Sequence, residues 1–233
     1  MIGVGPILAR HVHVLSERGS PLRMPDDPFK SALPAVGILF ILVDPRGECS
    51  MGTIVALESR GGVVIAGDSQ TTTGRTVTSQ NAQRIFDFDA VGAGVVGATG
   101  DIQDFHRHFE DELRELRIDR EENLEVDKVA RIAARHAETA KVDAVVAARD
   151  ADETARLREV GSDGRVLENS TAALGSGAEV AYGRLETVDL AVSLTDATST
   201  ASDIVKTVVA RDSESGGDTD VWSLSNATDT EDD

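Results

Sequence analysis

This chain is poor in sulfur, aromatic rings and positive charge. Cys49 is the single cysteine among 233 residues, which excludes an intrachain disulfide framework and fits a reducing, cytoplasmic setting. Only four lysines are present (Lys30, Lys128, Lys141, Lys206), and 41 acidic residues against 23 basic ones leave a formal charge of −18. No Lys/Arg cluster stands ready to neutralise phosphates, and the overall field repels them, so nucleic acid is excluded as a partner. An acid-rich, lysine-poor surface with 3% aromatic content suits a protein kept soluble at high salt, where screening weakens self-repulsion. A halophilic source is therefore expected. The apolar run 33–43, interrupted by Pro34 and Gly37, is too short to span a bilayer as a helix. Asp44-Pro45-Arg46 after it offers no small-residue cleavage site, which argues against a signal peptide. No membrane association is expected.

What is present falls into two unlike parts. Residues 1–51 hold five acids and five bases, whereas residues 52–233 hold 36 acids and 18 bases, so the whole net charge lies downstream. The break coincides with Met51. Residues 1–51 read as a cleaved propeptide, a disordered leader, or upstream sequence translated in error with Met51 as the start; in each case they stand outside the fold. Residues 52–225 form the expected domain, with 40% hydrophobic content across the chain sufficient for a core. The acidic polar stretch 226–233 reads as a disordered tail.

Within 52–225 the pattern alternates in blocks. Residues 53–57 and 63–68 are short β-rich runs joined by Arg60-Gly61-Gly62, a hairpin signal. Residues 85–88 and 92–98 form a second pair with a turn near Asp89. A helix opens at Gly100-Asp101, and Phe105, Phe109, Leu113 and Leu116 make one apolar stripe. A second helix covers 124–140, with Val129, Ile132, Ala133 and His136 on one face. Strands are predicted at 142–148, 156–160 and 166–174, helices at 179–188 and 203–210, and a closing strand at 220–224. Strands, two helices, strands, two helices, strand is an order that suits two sheets stacked face to face with helices outside, an α+β class.

Three segments carry a resemblance. The hairpin from Gly52-Thr53-Ile54 to Gly67-Asp68, the later Gly175-Ser176-Gly177, and Arg211-Asp212-Ser213-Glu214-Ser215-Gly216-Gly217 followed by Asp220-Val221 stand in order at matching intervals. Together they resemble the β-type subunits of the proteasome and their bacterial two-ring relatives, across essentially all of 52–225. The resemblance implies a four-layer αββα sandwich of the N-terminal-nucleophile hydrolase type. It also implies assembly into homo- or hetero-oligomeric rings with proteasome-type subunits, peptide or unfolded-protein substrates, and neither cofactor nor metal.

In that family an N-terminal threonine hydroxyl attacks the scissile carbonyl while its own freed α-amine acts as the base, because an alcohol is a weak nucleophile without help. Mapped onto this chain, the strand-end acid is Asp68, the lysine position is Arg84, and the oxyanion-side glycine is Gly97. The serine of Gly-Ser-Gly is Ser176, and the late pair is Asp212 and Ser215. The nucleophile position is Gly52, which has no hydroxyl. Arg84 keeps its proton at any working pH, so it holds a carboxylate but relays nothing. Absent or impaired peptidase activity follows as the expectation, since losing a nucleophile costs several orders of magnitude. Two alternatives stay open: an active threonine peptidase using Thr53 after removal of residues 1–52, and another N-terminal-nucleophile amidohydrolase. Against Thr53 stands strand alternation, which turns successive side chains to opposite faces.

Other residues have plainer explanations. Thr71-Thr72-Thr73 reads as a polar loop lining a substrate groove or as a plain turn. His106 and His108, two apart on a helix, read as solvated surface rather than metal ligands. The glycines 92, 94, 97 and 100 lack a following Gly-Lys-Ser/Thr, so they read as close backbone packing and not a phosphate loop. Trp222 and Tyr182 read as core or interface.

Overall fold

A computed structural model describes residues 52–74, 76–120 and 124–227, apart from the side chains of 118–120. The expectations placed on residues 1–51, Cys49 included, and on 228–233 lie outside the described residues. In chain order the elements are β1 (Thr53–Ser59), β2 (Gly62–Asp68), β3 (Thr71–Thr73), β4 (Thr76–Ser79), β5 (Ile85–Phe88) and β6 (Val91–Val96). Then come α1 (Thr99–Arg120), α2 (Val126–Ala140), β7 (Asp143–Arg149), β8 (Ala155–Val160), β9 (Val166–Leu167), β10 (Thr171–Gly175), α3 (Ala178–Leu185), α4 (Leu194–Val209) and β11 (Thr219–Ser225). One sheet runs β10-β1-β2-β11 and another β5-β6-β7-β8-β9, with every neighbouring pair antiparallel.

The alternation of side chains along β1 and β2 explains the layering. Ile54, Ala56, Val63 and Ile65 pack against Val145, Ala147 and Leu157 of the facing sheet, while Val55, Leu57, Val64 and Ala66 pack against Ala197, Ile204 and Val208 of α4. Both faces are buried, so the strands read as continuous apolar runs instead of an apolar–polar alternation. On the other side Ala93, Val95, Ala144 and Val146 meet Phe105, Phe109 and Leu113 of α1 and Val129 and Ala133 of α2. Helices, sheet, sheet and helices give the αββα sandwich, with three apolar layers between them.

Several expected elements differ in the structure. The predicted strand 166–174 is two strands in different sheets: β9 pairs with β8, and β10 pairs with β1. The chain changes layer through the exposed polar residues Glu168, Asn169 and Ser170, which have no apolar face to bury. Helix α4 begins at Leu194, not at 203. Its first half, Thr-Asp-Ala-Thr-Ser-Thr-Ala-Ser, has poor intrinsic helix propensity, but tertiary burial of Ala197, Ala201, Ile204, Val205 and Val208 along one face overrides it. Ser193 caps the start, accepting from the Asp196 N–H at 3.2 Å. The Thr71 segment is not a plain turn: β3 and β4 form a small hairpin in which Thr71 and Thr72 are buried. His106 packs on Phe86, with ring centroids 4.5 Å apart, so it is half-buried and not simply solvated.

Asn226, expected in a disordered tail, is a buried clamp. Its N–H donates to Gly61 O at 3.2 Å, its Nδ2 donates to Arg60 O at 2.8 Å, and its Oδ1 accepts from Ala155 N at 2.9 Å. It thus ties the β1–β2 turn of one sheet to the start of β8 in the other. Asn226→Ala leaves buried backbone groups without partners, so a loss of about 1–3 kcal/mol is expected, read as a lower urea midpoint at unchanged slope.

Candidate active site

The site forms where the start of β1, the end of β2, the start of β5 and the loops after β10 and α4 meet. β1 pairs in unbroken register from its first residue, Thr53 opposite Gly175 and Ile54 opposite Gly67. That register brings Asp68, at the end of β2, beside the chain entry at Gly52 and Thr53.

Asp68 is 1% exposed and surrounded by donors. Its Oδ1 accepts from Thr53 N at 2.7 Å, and its Oδ2 accepts from Gly216 N at 2.6 Å and from Gln70 N at 3.4 Å. Arg84 Nε lies 3.8 Å from Oδ1, and both side chains are fully buried. Burial pushes the Asp68 carboxyl above its ordinary value, and the three amides and the Arg84 charge oppose that rise. Burial likewise lowers the Arg84 guanidinium, against the attraction of Asp68. Arg84 Nη2 also donates to Gln70 O at 2.7 Å.

Thr53 turns its hydroxyl to different partners. Its Oγ1 lies 2.8 Å from Ser215 Oγ and accepts from Gly177 N at 2.9 Å, and the residue is 0% exposed. Ser215 Oγ donates to Asp212 Oδ2 at 2.7 Å, and Ser176 Oγ donates to the same oxygen at 2.5 Å. A side chain at residue 52, by contrast, would start beside Asp68 and Arg84: a Cβ built there falls 2.3 Å from Asp68 Oδ1 and 2.4 Å from Arg84 Nε. The structure therefore brings Gly52, Thr53, Asp68, Arg84, Ser176, Asp212 and Ser215 together. Gly97 follows β6 in the other sheet, and among the described residues no hydrogen bond links it to Gly52, Thr53 or Asp68.

Sequence reasoning missed Gln70 and Ser69. Both are buried polar residues directly after the acid. Gln70 Nε2 donates to Ser213 O at 3.2 Å, Ser69 N donates to Gly216 O at 3.1 Å, and Asp218 N donates to Ser69 Oγ at 2.8 Å, which pins the loop after α4 onto the end of β2. The signal was an uninterrupted polar run, Asp-Ser-Gln-Thr, after a strand with no exposed residue. Arg84 also borders a hollow of about 360 Å³ lined with Thr71, Gln83, Phe86, Ile102, Gln103 and His106, within the size range of ligand pockets.

A strand-end carboxylate holding the Thr53 amide, a buried cation behind it and a Ser–Asp–Ser chain alongside form one arrangement. A sequence model of the family described as Proteasome subunit matches residues 50–224. The chain belongs to the proteasome subunit family. Its relatives include the proteasome subunit beta of Methanothrix thermoacetophila, 30% identical over 171 residues that cover 70% of this chain and 83% of that one. The proteasome subunit beta 2 of Haloarcula marismortui is 31% identical over 170 residues, 70% and 74% of the two chains. The proteasome subunit beta 1 of Haloterrigena turkmenica is 29% identical over 169 residues, 70% of each. The resemblance is thus to the β-type subunits. Among the described residues of this proteasome-family chain, no helix is long and apolar enough to cross a membrane.

Proposed function

We propose that this chain is a β-type subunit of a proteasome-like ring whose own peptidase site is silent. The observation that carries the reading is the division of the site between residues 52 and 53. Groups suited to tuning a nucleophile, Asp68 and Arg84, face position 52, where glycine supplies no hydroxyl. The one hydroxyl at the start of β1, Thr53 Oγ1, is buried and bonded to Ser215 and Gly177. A freed Gly52 amine would have no hydroxyl to activate, so the acyl-transfer step lacks its attacking atom. What remains is a fold, a cavity and a surface, enough for a structural member of a ring. The mapped roles of Asp68, Arg84, Gly97, Ser176, Asp212 and Ser215 belong to this reading as inherited parts, and the acidic composition supports a high-salt setting.

A second reading has one observation in its favour. If residues 1–52 were removed, the Thr53 amine would lie against Asp68 Oδ1 and its hydroxyl would end the Ser215–Asp212 chain. Thr53 Oγ1 would then have to leave both present partners to reach a carbonyl.

Purified full-length chain, incubated at high salt with a fluorogenic peptide, separates the two when its intact mass is measured beside it. The expected result is turnover at the level of a nucleophile-free protein, about 10³-fold or more below an active site of this type, and unchanged by Thr53→Ala. Turnover abolished by Thr53→Ala, in material whose mass begins at Thr53, would establish the second reading instead.

A further inference from the structure

We propose that Gly52 and Arg84 are a matched pair: the Arg84 side chain fills the space that a side chain at residue 52 would need. No single substitution at 52 then returns a hydroxyl to the site. The inference deepens the silent-site reading and rests on it for its meaning in catalysis, while its steric content is tested separately.

The added Cβ falls 2.3 Å from Asp68 Oδ1, 2.4 Å from Arg84 Nε and 2.8 Å from Arg84 Cζ, all inside the 3.0 Å that real Cβ atoms keep. Something must move, and both neighbours are held. Arg84 is 0% exposed, its Nη2 donates to Gln70 O at 2.7 Å, and its carbonyl accepts from Val95 N at 3.0 Å, which fixes its backbone against β6. Gln70 is itself tied to Ser213. Asp68 cannot retreat without releasing Thr53 N and Gly216 N. Swinging the guanidinium away would leave a buried carboxylate without its cation, a costly arrangement. By contrast, a Cβ at Gly74, Gly100 or Gly183 meets nothing within 4 Å.

Gly92 abuts the Trp222 ring and Gly67 abuts Ile54, which are apolar core contacts, and Gly161 abuts Arg165 and Asp163, an ion pair whose side chains are exposed and can move into solvent. At Gly52 the neighbours are the buried ion pair itself. Lysine in place of Arg84 keeps atoms at the positions of Nε and Cζ but lacks Nη2, and with it the bond that ties the guanidinium to Gln70 O. Its stem is then free to rotate off residue 52 while the ammonium still faces Asp68.

A double-mutant cycle on the full-length chain tests the pair: Gly52→Ala, Arg84→Lys and the double variant, followed by thermal unfolding at high salt. Gly52→Ala is expected to lower Tm by about 3–10 °C, the range for forced overpacking in a domain of this size. Adding Arg84→Lys should recover at least half of that loss, whereas adding the distant Asn226→Ala should lower Tm further and additively. A Gly52→Ala chain that melts within about one degree of the parent overturns the inference, and so does a double variant that loses the sum of the two singles. If Gly52→Ala is insoluble, a soluble Gly52→Ala/Arg84→Lys supports the pair and an insoluble one overturns it. Peptide turnover by the parent chain would remove the silent-site reading and leave the cycle standing. An additive cycle would remove the pairing and leave the silent site standing.

Discussion

Asp68→Leu is expected to be the most damaging single change near the site, at about 3–5 kcal/mol, against a total stability of about 5–15 kcal/mol for a domain. The side chain accepts from three backbone amides and sits 3.8 Å from a fully buried guanidinium. Leucine fills the volume but leaves the amides of Thr53 and Gly216 without acceptors and Arg84 without its carboxylate. Asn should fall between the two. One of its terminal atoms is an NH₂, so either Thr53 N or Gly216 N would meet a donor where it now meets an acceptor. Urea unfolding of parent, Asn and Leu variants reads the order. An Asn variant as stable as the parent would mean that the Arg84 charge, and with it the pairing, contributes nothing. Because Gly216 belongs to the loop that also carries Ser215, the same loss should loosen the hold on Thr53, visible as faster amide exchange at Gly177.

Gly175→Ala should cost about 3 kcal/mol or more. Gly175 has φ +94°, a conformation that L side chains rarely adopt, and its added Cβ would lie 1.8 Å from the Gly52 carbonyl oxygen. Backbone atoms cannot rotate aside as side chains do, so the edge strand β10 must shift off β1. Thr53 opposite Gly175 is the first rung of that pairing. The shift therefore opens the ladder at the site end and carries Ser176 and Gly177 away from Thr53. Gly183→Ala is the contrasting case. It lies in α3 with open space around its Cβ position, so a gain of about 0.5–1 kcal/mol is expected from helix propensity. Urea midpoints moving in opposite directions for the two glycine-to-alanine changes would check both.

The elements read correctly from sequence share one property: their local pattern and their tertiary burial agree. The β1–β2 hairpin is bounded by Arg60-Gly61-Gly62, and the α1 stripe Phe105, Phe109 and Leu113 is buried along its length. Where local pattern and burial conflict, the reading failed. The Thr- and Ser-rich first half of α4 is helical because Ala197 and Ala201 have a sheet to pack on. Residues 166–174 read as one strand only by running across the polar Glu168-Asn169-Ser170, and no periodicity reveals that the chain leaves one sheet for the other between Leu167 and Thr171. Asn226 looked like tail because its three partners lie at residues 60, 61 and 155.

By itself the sequence determined the kinship, the alternation of strand and helix blocks, and the chemical fact that residue 52 carries no side-chain hydroxyl. It also set the alternation that turns neighbours 52 and 53 apart, since that follows from the two-residue repeat of any extended chain. Only the tertiary structure decided what lies on each side: Asp68 and Arg84 against Gly52, and Ser215 and Gly177 around the Thr53 hydroxyl. Those partners come from segments up to 162 positions apart. Their meeting depends on how two sheets and a loop pack, and no local pattern encodes that distance.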